Sequence, residues 1–180
     1  ALVHTLDNPN AYGTSSGDHF GDSVAISGNS VIVGAYAEDD AGGGYSGKAY
    51  IFNVTSGALV HTLDNPNAYG TTFNDRFGDS VAISGNSAIV GAYGEDDASG
   101  TSSGKAYIYN VTSGALVHTL DNPNAYGTSQ SDYFGKSVAM SGNLAIVGAP
   151  FEDDAGGAGG TFSGKAYIYN VTSGALVHTL

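Results

Sequence analysis

Residues 20–36 read FGDSVAISGNSVIVGAY: two short apolar runs, Phe20–Ser27 and Ser30–Tyr36, split by Gly28-Asn29. A Gly-Asn pair between such runs is a tight hairpin signal, because both residues tolerate positive φ. The second run is almost continuously apolar, as expected of a strand covered on both faces. The stretch returns as FGDSVAISGNSAIVGAY at 77–93 and as FGKSVAMSGNLAIVGAP at 134–150.

Working outward, an acidic, glycine-rich loop follows from Glu38 to Gly47. A third strand is expected at Lys48–Val54 (KAYIFNV), then a turn at Thr55-Ser56-Gly57. A fourth is expected at Ala58–Leu63 (ALVHTL), where Leu59, His61 and Leu63 alternate with Val60 and Thr62. ALVHTL begins at Ala1, Ala58, Ala115 and Ala175. The last step is longer by three residues, and all three fall between Glu152-Asp153-Asp154 and Lys165. Loops absorb insertions and packed strands do not, so this stretch reads as a loop. The other differences between copies also gather in polar, glycine-rich segments, mainly residues 15–19 and 42–45 with their counterparts.

Four antiparallel strands per repeat, joined by turns, is the pattern of a β-propeller blade. A stacked β-solenoid is the competing architecture, but its coils are usually shorter. The expected fold is therefore all-β: a propeller-type array of three four-stranded antiparallel blades, incomplete as a closed ring on its own. Residues 1–6 read as the outer-type strand of a preceding blade. Residues 7–63, 64–120 and 121–180 read as blade repeats 1, 2 and 3.

Composition narrows the function. The chain has 28 glycines in 180 residues, against an average of about 7%. It carries 5 Lys+Arg and 17 Asp+Glu, a net charge of −12, which suits nucleic-acid phosphates poorly. Without cysteine there is no disulfide, thiol nucleophile or zinc-thiolate site. No apolar run approaches the roughly 20 residues of a membrane helix, so no membrane insertion is expected. The start, Ala1 to Leu6, lacks the basic region of a leader peptide.

The three copies resemble the FG-GAP repeat of integrin α-subunit propellers and their bacterial relatives. The resemblance rests on Phe20-Gly21 with Gly34-Ala35-Tyr36, Phe77-Gly78 with Gly91-Ala92-Tyr93, and Phe134-Gly135 with Gly148-Ala149-Pro150. Gly-Lys-Ala-Tyr-Ile at 47–51 and its copies is similar to the Gly-x-Val-Tyr-Val strand of that family. The integrin-type repeat carries a calcium loop between Phe-Gly and Gly-Ala-Pro. Here that place holds Ser-Gly-Asn-Ser or Ser-Gly-Asn-Leu, with no carboxylate, so the integrin site is not carried over. The short hairpin resembles the bacterial subfamily.

Three sets of residues are candidates for function. The acidic triplets Glu38-Asp39-Asp40, Glu95-Asp96-Asp97 and Glu152-Asp153-Asp154 open glycine-rich loops. Carboxylates with loop carbonyls supply the six to eight oxygens of a calcium site, and a solvated acidic turn is the plainer reading. No cofactor is required by the fold, and calcium is the candidate one. Asn-Val-Thr at Asn53, Asn110 and Asn170 matches the glycosylation sequon, and equally an ordinary turn asparagine. Tyr12, Tyr69 and Tyr126 lie in the connecting Asn-Pro-Asn-Ala-Tyr-Gly loops, as a binding face or as loop anchors. His4, His61, His118 and His178 share one strand position and read as partly exposed strand residues.

An active site needs different groups converging at one point, and near-identical repeats present the same groups three times. A non-enzymatic role is expected: a structural or adhesive repeat of an extracellular filament, cell-surface protein or phage fibre. Its expected partners are copies of itself or further repeats of the same array. A calcium-assisted propeller binding glycans or surface proteins through its variable loops is the alternative. Propellers usually close with 4–8 blades, so three are not expected to close alone.

Overall fold

The computed structural model describes residues 1–10, 15–41, 43–66, 71–98, 100–123, 129–153 and 162–180. Gly28 takes φ +56 and lets β1 (Val24–Ser27) turn onto β2 (Ser30–Ala35) in two residues, with Ser27 opposite Ser30. Asn29 does not use the positive φ the sequence allows it. Its side chain ties two turns together instead: Asn29 Oδ1 accepts from Thr55 N and Thr55 Oγ1 at 3.0 and 2.6 Å. β3 (Lys48–Asn53) pairs with β2, and β4 (Leu59–Asp64) pairs with β3 across a bulge at Ile51/Phe52.

The second copy repeats this meander as β5 (Ser80–Ser84), β6 (Ser87–Ala92), β7 (Lys105–Asn110) and β8 (Leu116–Asp121). The third repeats it as β9 (Ser137–Ser141), β10 (Leu144–Ala149), β11 (Lys165–Asn170) and β12 (Leu176–Thr179). Among the described residues these strands form three separate four-stranded antiparallel sheets, and there is no helix. The fold is all-β, an array of three blades that this chain does not close into a ring.

The first strand of each blade is shorter than expected. Phe20 and Gly21 belong to a turn, with Gly21 at φ +93 and Asp22 N bonded to His19 O at 3.2 Å. The Phe-Gly carbonyls are thereby turned out of their own sheet and are free to meet another one.

Blades pack face to face, with β1, β5 and β9 as neighbours. The trailing face of blade 1 (Ala25, Ile32, Ala49, Ile51, Leu63) meets the leading face of blade 2. That face presents Phe77, Val81, Ile83, Val90, Tyr107 and Tyr109. The same residues one repeat on join blade 2 to blade 3, with Ile89, Ile108 and Leu120 against Phe134, Val147, Tyr167 and Tyr169. Strand alternation thus sends each blade's two faces to two different neighbours. This is why nearly every position of the second and third strands is apolar.

Candidate functional site

The second and third Phe-Gly turns each insert their backbone into the preceding blade. Asn74, Arg76 and Phe77 donate their backbone N–H groups to the Gly44, Tyr45 and Ser46 carbonyls at 2.9, 3.0 and 3.0 Å. Ser131, Tyr133 and Phe134 repeat this on Thr101, Ser102 and Ser103 at 2.9, 3.3 and 3.0 Å. The receiving socket has to be glycine. A Cβ on Gly34 would lie 2.0 Å from the Gly78 oxygen, and one on Gly47 would lie 2.0 Å from the Phe77 oxygen. The Phe-Gly and Gly-Ala motifs are therefore the two halves of one inter-blade joint.

The strand histidines make a second joint that the sequence pattern did not reveal. His61 Nε2 donates to the Thr112 carbonyl at 3.0 Å, and His118 Nε2 to the Thr172 carbonyl at 3.1 Å. The rings lie where a Cβ on Gly114 or Gly174 would be, 2.7 Å from Nδ1. His4 makes the same bond to the Thr55 carbonyl at 3.0 Å. These residues are clamps between neighbours rather than idle strand positions.

The acidic triplets divide their work. Glu38, Glu95 and Glu152 are fully buried, and each accepts a hydrogen bond from a strand tyrosine. Tyr50 Oη donates to Glu38 Oε2 at 2.6 Å, Tyr107 to Glu95 and Tyr167 to Glu152. Burial first, then the neighbouring glutamate, holds the Tyr107 and Tyr167 hydroxyls well above the usual phenol range. Asp39, Asp40, Asp96 and Asp97 close their loops, while the backbone carbonyl of Asp153 accepts from Lys165 Nζ at 3.1 Å. Asp39 Oδ1 accepts from Tyr45 N at 3.0 Å, and Asp40 Oδ1 accepts from Gly43 N at 3.1 Å and from Thr72 Oγ1 at 2.8 Å. Asp96 Oδ1 accepts from Ser102 N at 2.8 Å, and Asp97 Oδ1 accepts from Gly100 N and from Ser129 Oγ at 2.9 and 3.0 Å. Among the described residues, no three carboxylate or histidine groups converge with the spacing that holds a metal ion. Asp154 lies outside the described residues.

A further carboxylate sits beneath each loop. Asp18, Asp75 and Asp132 are buried, and each accepts from an asparagine ten residues earlier: Asn8 at 2.7 Å, Asn65 at 2.8 Å and Asn122 at 2.8 Å. Burial pushes Asp75 up to about 7, against the bond from Asn65 and helped by the charges of Asp96 and Asp40. Burial likewise raises Asp132 to about 6 and moves Asp18 upward. The folded chain then keeps protons that the unfolded chain releases near 3.8. Between those two values the folded state binds more protons, so each rise in pH favours unfolding. Stability from these groups is complete below about pH 4 and lost as pH passes through 6 to 7. The melting temperature is expected to be lower at pH 8 than at pH 5, and Asp75→Asn should raise it at pH 8 and flatten the profile. An unchanged profile in the variant would remove Asp75 as its origin.

Side chains that differ between repeats also meet. The Arg76 guanidinium lies 6.0 Å from the Tyr36 ring and 5.4 Å from the Tyr93 ring, and Lys136 Nζ lies 4.0 Å from the latter. Tyr93, Tyr133, Phe151 and Phe162 continue the row at ring separations of 5.3, 5.1 and 5.4 Å. Phe151 and Phe162 are 41% and 66% exposed, which leaves one end of the row open. Tyr12, Tyr69 and Tyr126 lie outside the described residues. Asn53, Asn110 and Asn170 end the third strands, where each Oδ1 accepts from the serine three residues on.

The FG-GAP repeat model matches residues 10–52, 68–109 and 124–169. No curated protein matches the chain. Among solved structures, the crystal structure of the computationally designed Ika4 protein is similar to all of it. The alignment covers 100% of this chain and 79% of that one, with a TM-score of 0.59 and 14% identity. At that identity the likeness is one of fold.

Proposed function

The chain belongs to the FG-GAP repeat family, and from that premise we propose that it is a non-enzymatic structural and adhesive module of an extracellular filament, cell-surface protein or phage fibre. The observation that carries this reading is the doubled joint. Glycine sockets, Phe-Gly turns and histidine clamps are used twice in identical form, so the residues the repeats share serve to hold one blade to the next. The partners are copies of itself or further repeats. The reading calls on no metal or other cofactor; Glu38, Asp39, Asp40 and Asp96 accept hydrogen bonds from tyrosine, threonine and backbone donors. In an extracellular setting Asn53, Asn110 and Asn170 are the positions for glycans.

The exposed aromatic row favours a second reading, a glycan- or protein-binding propeller assisted by calcium, with Tyr133, Phe151 and Phe162 as its platform. Beads coated with the chain separate the two. The structural reading expects beads to adhere to one another equally in calcium and in chelator, with no saturable binding to a glycan array. Saturable glycan binding that disappears in chelator would overturn it in favour of the second reading.

A further inference from the structure

We infer that the joint between blades 1 and 2 carries a docking site for a protein partner that presents one carboxylate beside apolar side chains, held by Arg76 together with Tyr45 and Phe73. This rests on the adhesive part of the function proposed above and names the chemistry of what is adhered to. It starts from a difference between two joints whose backbones are alike.

In both joints the incoming turn bonds to the preceding loop in the same way. Asn74 N and Arg76 N donate to Gly44 O and Tyr45 O, as Ser131 N and Tyr133 N do to Thr101 O and Ser102 O. The φ angle is +55 at Tyr45 and +57 at Arg76, against +51 at Ser102 and +56 at Tyr133. Bulky residues seldom adopt such values, so these bonds fix the point at which each side chain leaves the backbone. What the two joints place there differs. The first has Tyr45, Phe73 and Arg76 where the second has Ser102, Gln130 and Tyr133.

The first set has the composition of an interface hot spot, where aromatic residues and arginine are enriched. Phe73 is 64% exposed and Tyr45 50%. Phe73 lies across the loop that leads into Tyr45: a Cβ on Gly43 would stand 2.9 Å from its Cβ, and one on Gly44 3.9 Å from its Cε2. Exposed apolar residues scattered singly are ordinary, but these two stand beside an unpaired cation. Lys48, Lys105 and Lys136 each pair with an aspartate, whereas Arg76 pairs with no carboxylate among the described residues. Its Nη1 donates to Tyr93 Oη and its Nε to Asn74 Oδ1 at 3.1 Å, both neutral acceptors. Its Nη2 meets no acceptor among the described residues. The guanidinium is thus half-buried and already oriented, and the group that best fits its planar fork is a carboxylate. At a net charge of −12 the chain repels a polyanion, so the partner offers one carboxylate among apolar neighbours rather than an acidic run. The same repulsion opposes a second copy of this chain as the occupant.

The test pans the whole chain against a displayed library of random peptides. Enriched peptides are expected to carry a single Asp or Glu flanked by apolar residues. The strongest of them, synthesised, should lose about tenfold or more in affinity when that residue becomes Asn or Gln. Tyr45→Ser, Phe73→Ser and Arg76→Tyr each install a residue that another copy carries at that position, as at Ser102, Ser16 and Tyr133. The joint backbone is therefore kept, which circular dichroism and the urea midpoint check. Each variant should weaken the same peptide by about tenfold or more. Failure to enrich any peptide overturns the proposal, as do enriched peptides without a carboxylate and affinities unchanged in the folded variants. So does a chain that pairs with itself through Arg76, or glycan binding that Arg76→Tyr abolishes. Beads that adhere to one another while no peptide is enriched sink the docking site and leave the adhesive reading standing. Peptides bound by a chain whose beads do not adhere do the reverse.

Discussion

A chain with Gly47→Ala is expected to unfold at markedly lower urea concentration, with a loss of about 3 kcal/mol or more. Two costs fall on one atom. Gly47 holds φ +81, where an L side chain costs on the order of 1–3 kcal/mol. The added Cβ would also lie 2.0 Å from the Phe77 oxygen, 2.7 Å from its nitrogen and 2.8 Å from its carbonyl carbon. All three are backbone atoms held by the bond from Phe77 N to Ser46 O, so no rotamer change relieves the overlap. Forced overpacking of this kind costs roughly 1–3 kcal/mol again. Gly28→Ala is the matched control. It also has positive φ, +56, but nothing lies within 4 Å of its Cβ, so about 1 kcal/mol is expected. Equal urea midpoints for the two variants would show that the socket is not under steric constraint.

Phe77→Ala carries the second large effect. The ring is fully buried and lies 5.8 and 6.1 Å from the Tyr107 and Tyr109 rings, in the cluster that joins blades 1 and 2. Truncating a buried phenylalanine costs about 3–5 kcal/mol, through lost transfer energy and the cavity left behind. Phe20 has the same two ring neighbours in its own blade, Tyr50 at 5.9 Å and Phe52 at 6.1 Å. No preceding blade covers it, and it is only half-buried. Phe20→Ala should therefore cost roughly half as much at dilutions where the chain is single. Equal losses would place the energy of the Phe-Gly motif within each blade instead of between blades.

The blade itself was legible because its causes are local. Period-two apolar runs, Gly28-Asn29 and Thr55-Ser56-Gly57 act on neighbours a few residues away, and they specify hairpins wherever they occur. The repeat then multiplies one blade into three. The candidate sites were legible only as residue types. The triplet at 38–40 pointed to carboxylate chemistry, yet Glu38 faces inward to Tyr50, while Asp39 and Asp40 turn back on their own loop. That split depends on how the loop folds over the third strand. The burial of Asp18, Asp75 and Asp132 carried no local signal, since an Asp before Phe-Gly looks like any surface turn residue.

By itself, the sequence determined the all-β class, the four-stranded meander and its threefold copying, because strand alternation and turn conformation are short-range properties. Only the tertiary structure decided why its commonest residues are where they are. Gly34 and Gly47 are glycine because the carbonyls of Gly78 and Phe77, 44 and 30 residues later, occupy the space of a side chain. His61 is histidine for the sake of a carbonyl at Thr112. These constraints act between blades, and the distance that matters to them is measured through space, where the chain's local pattern carries no record of it.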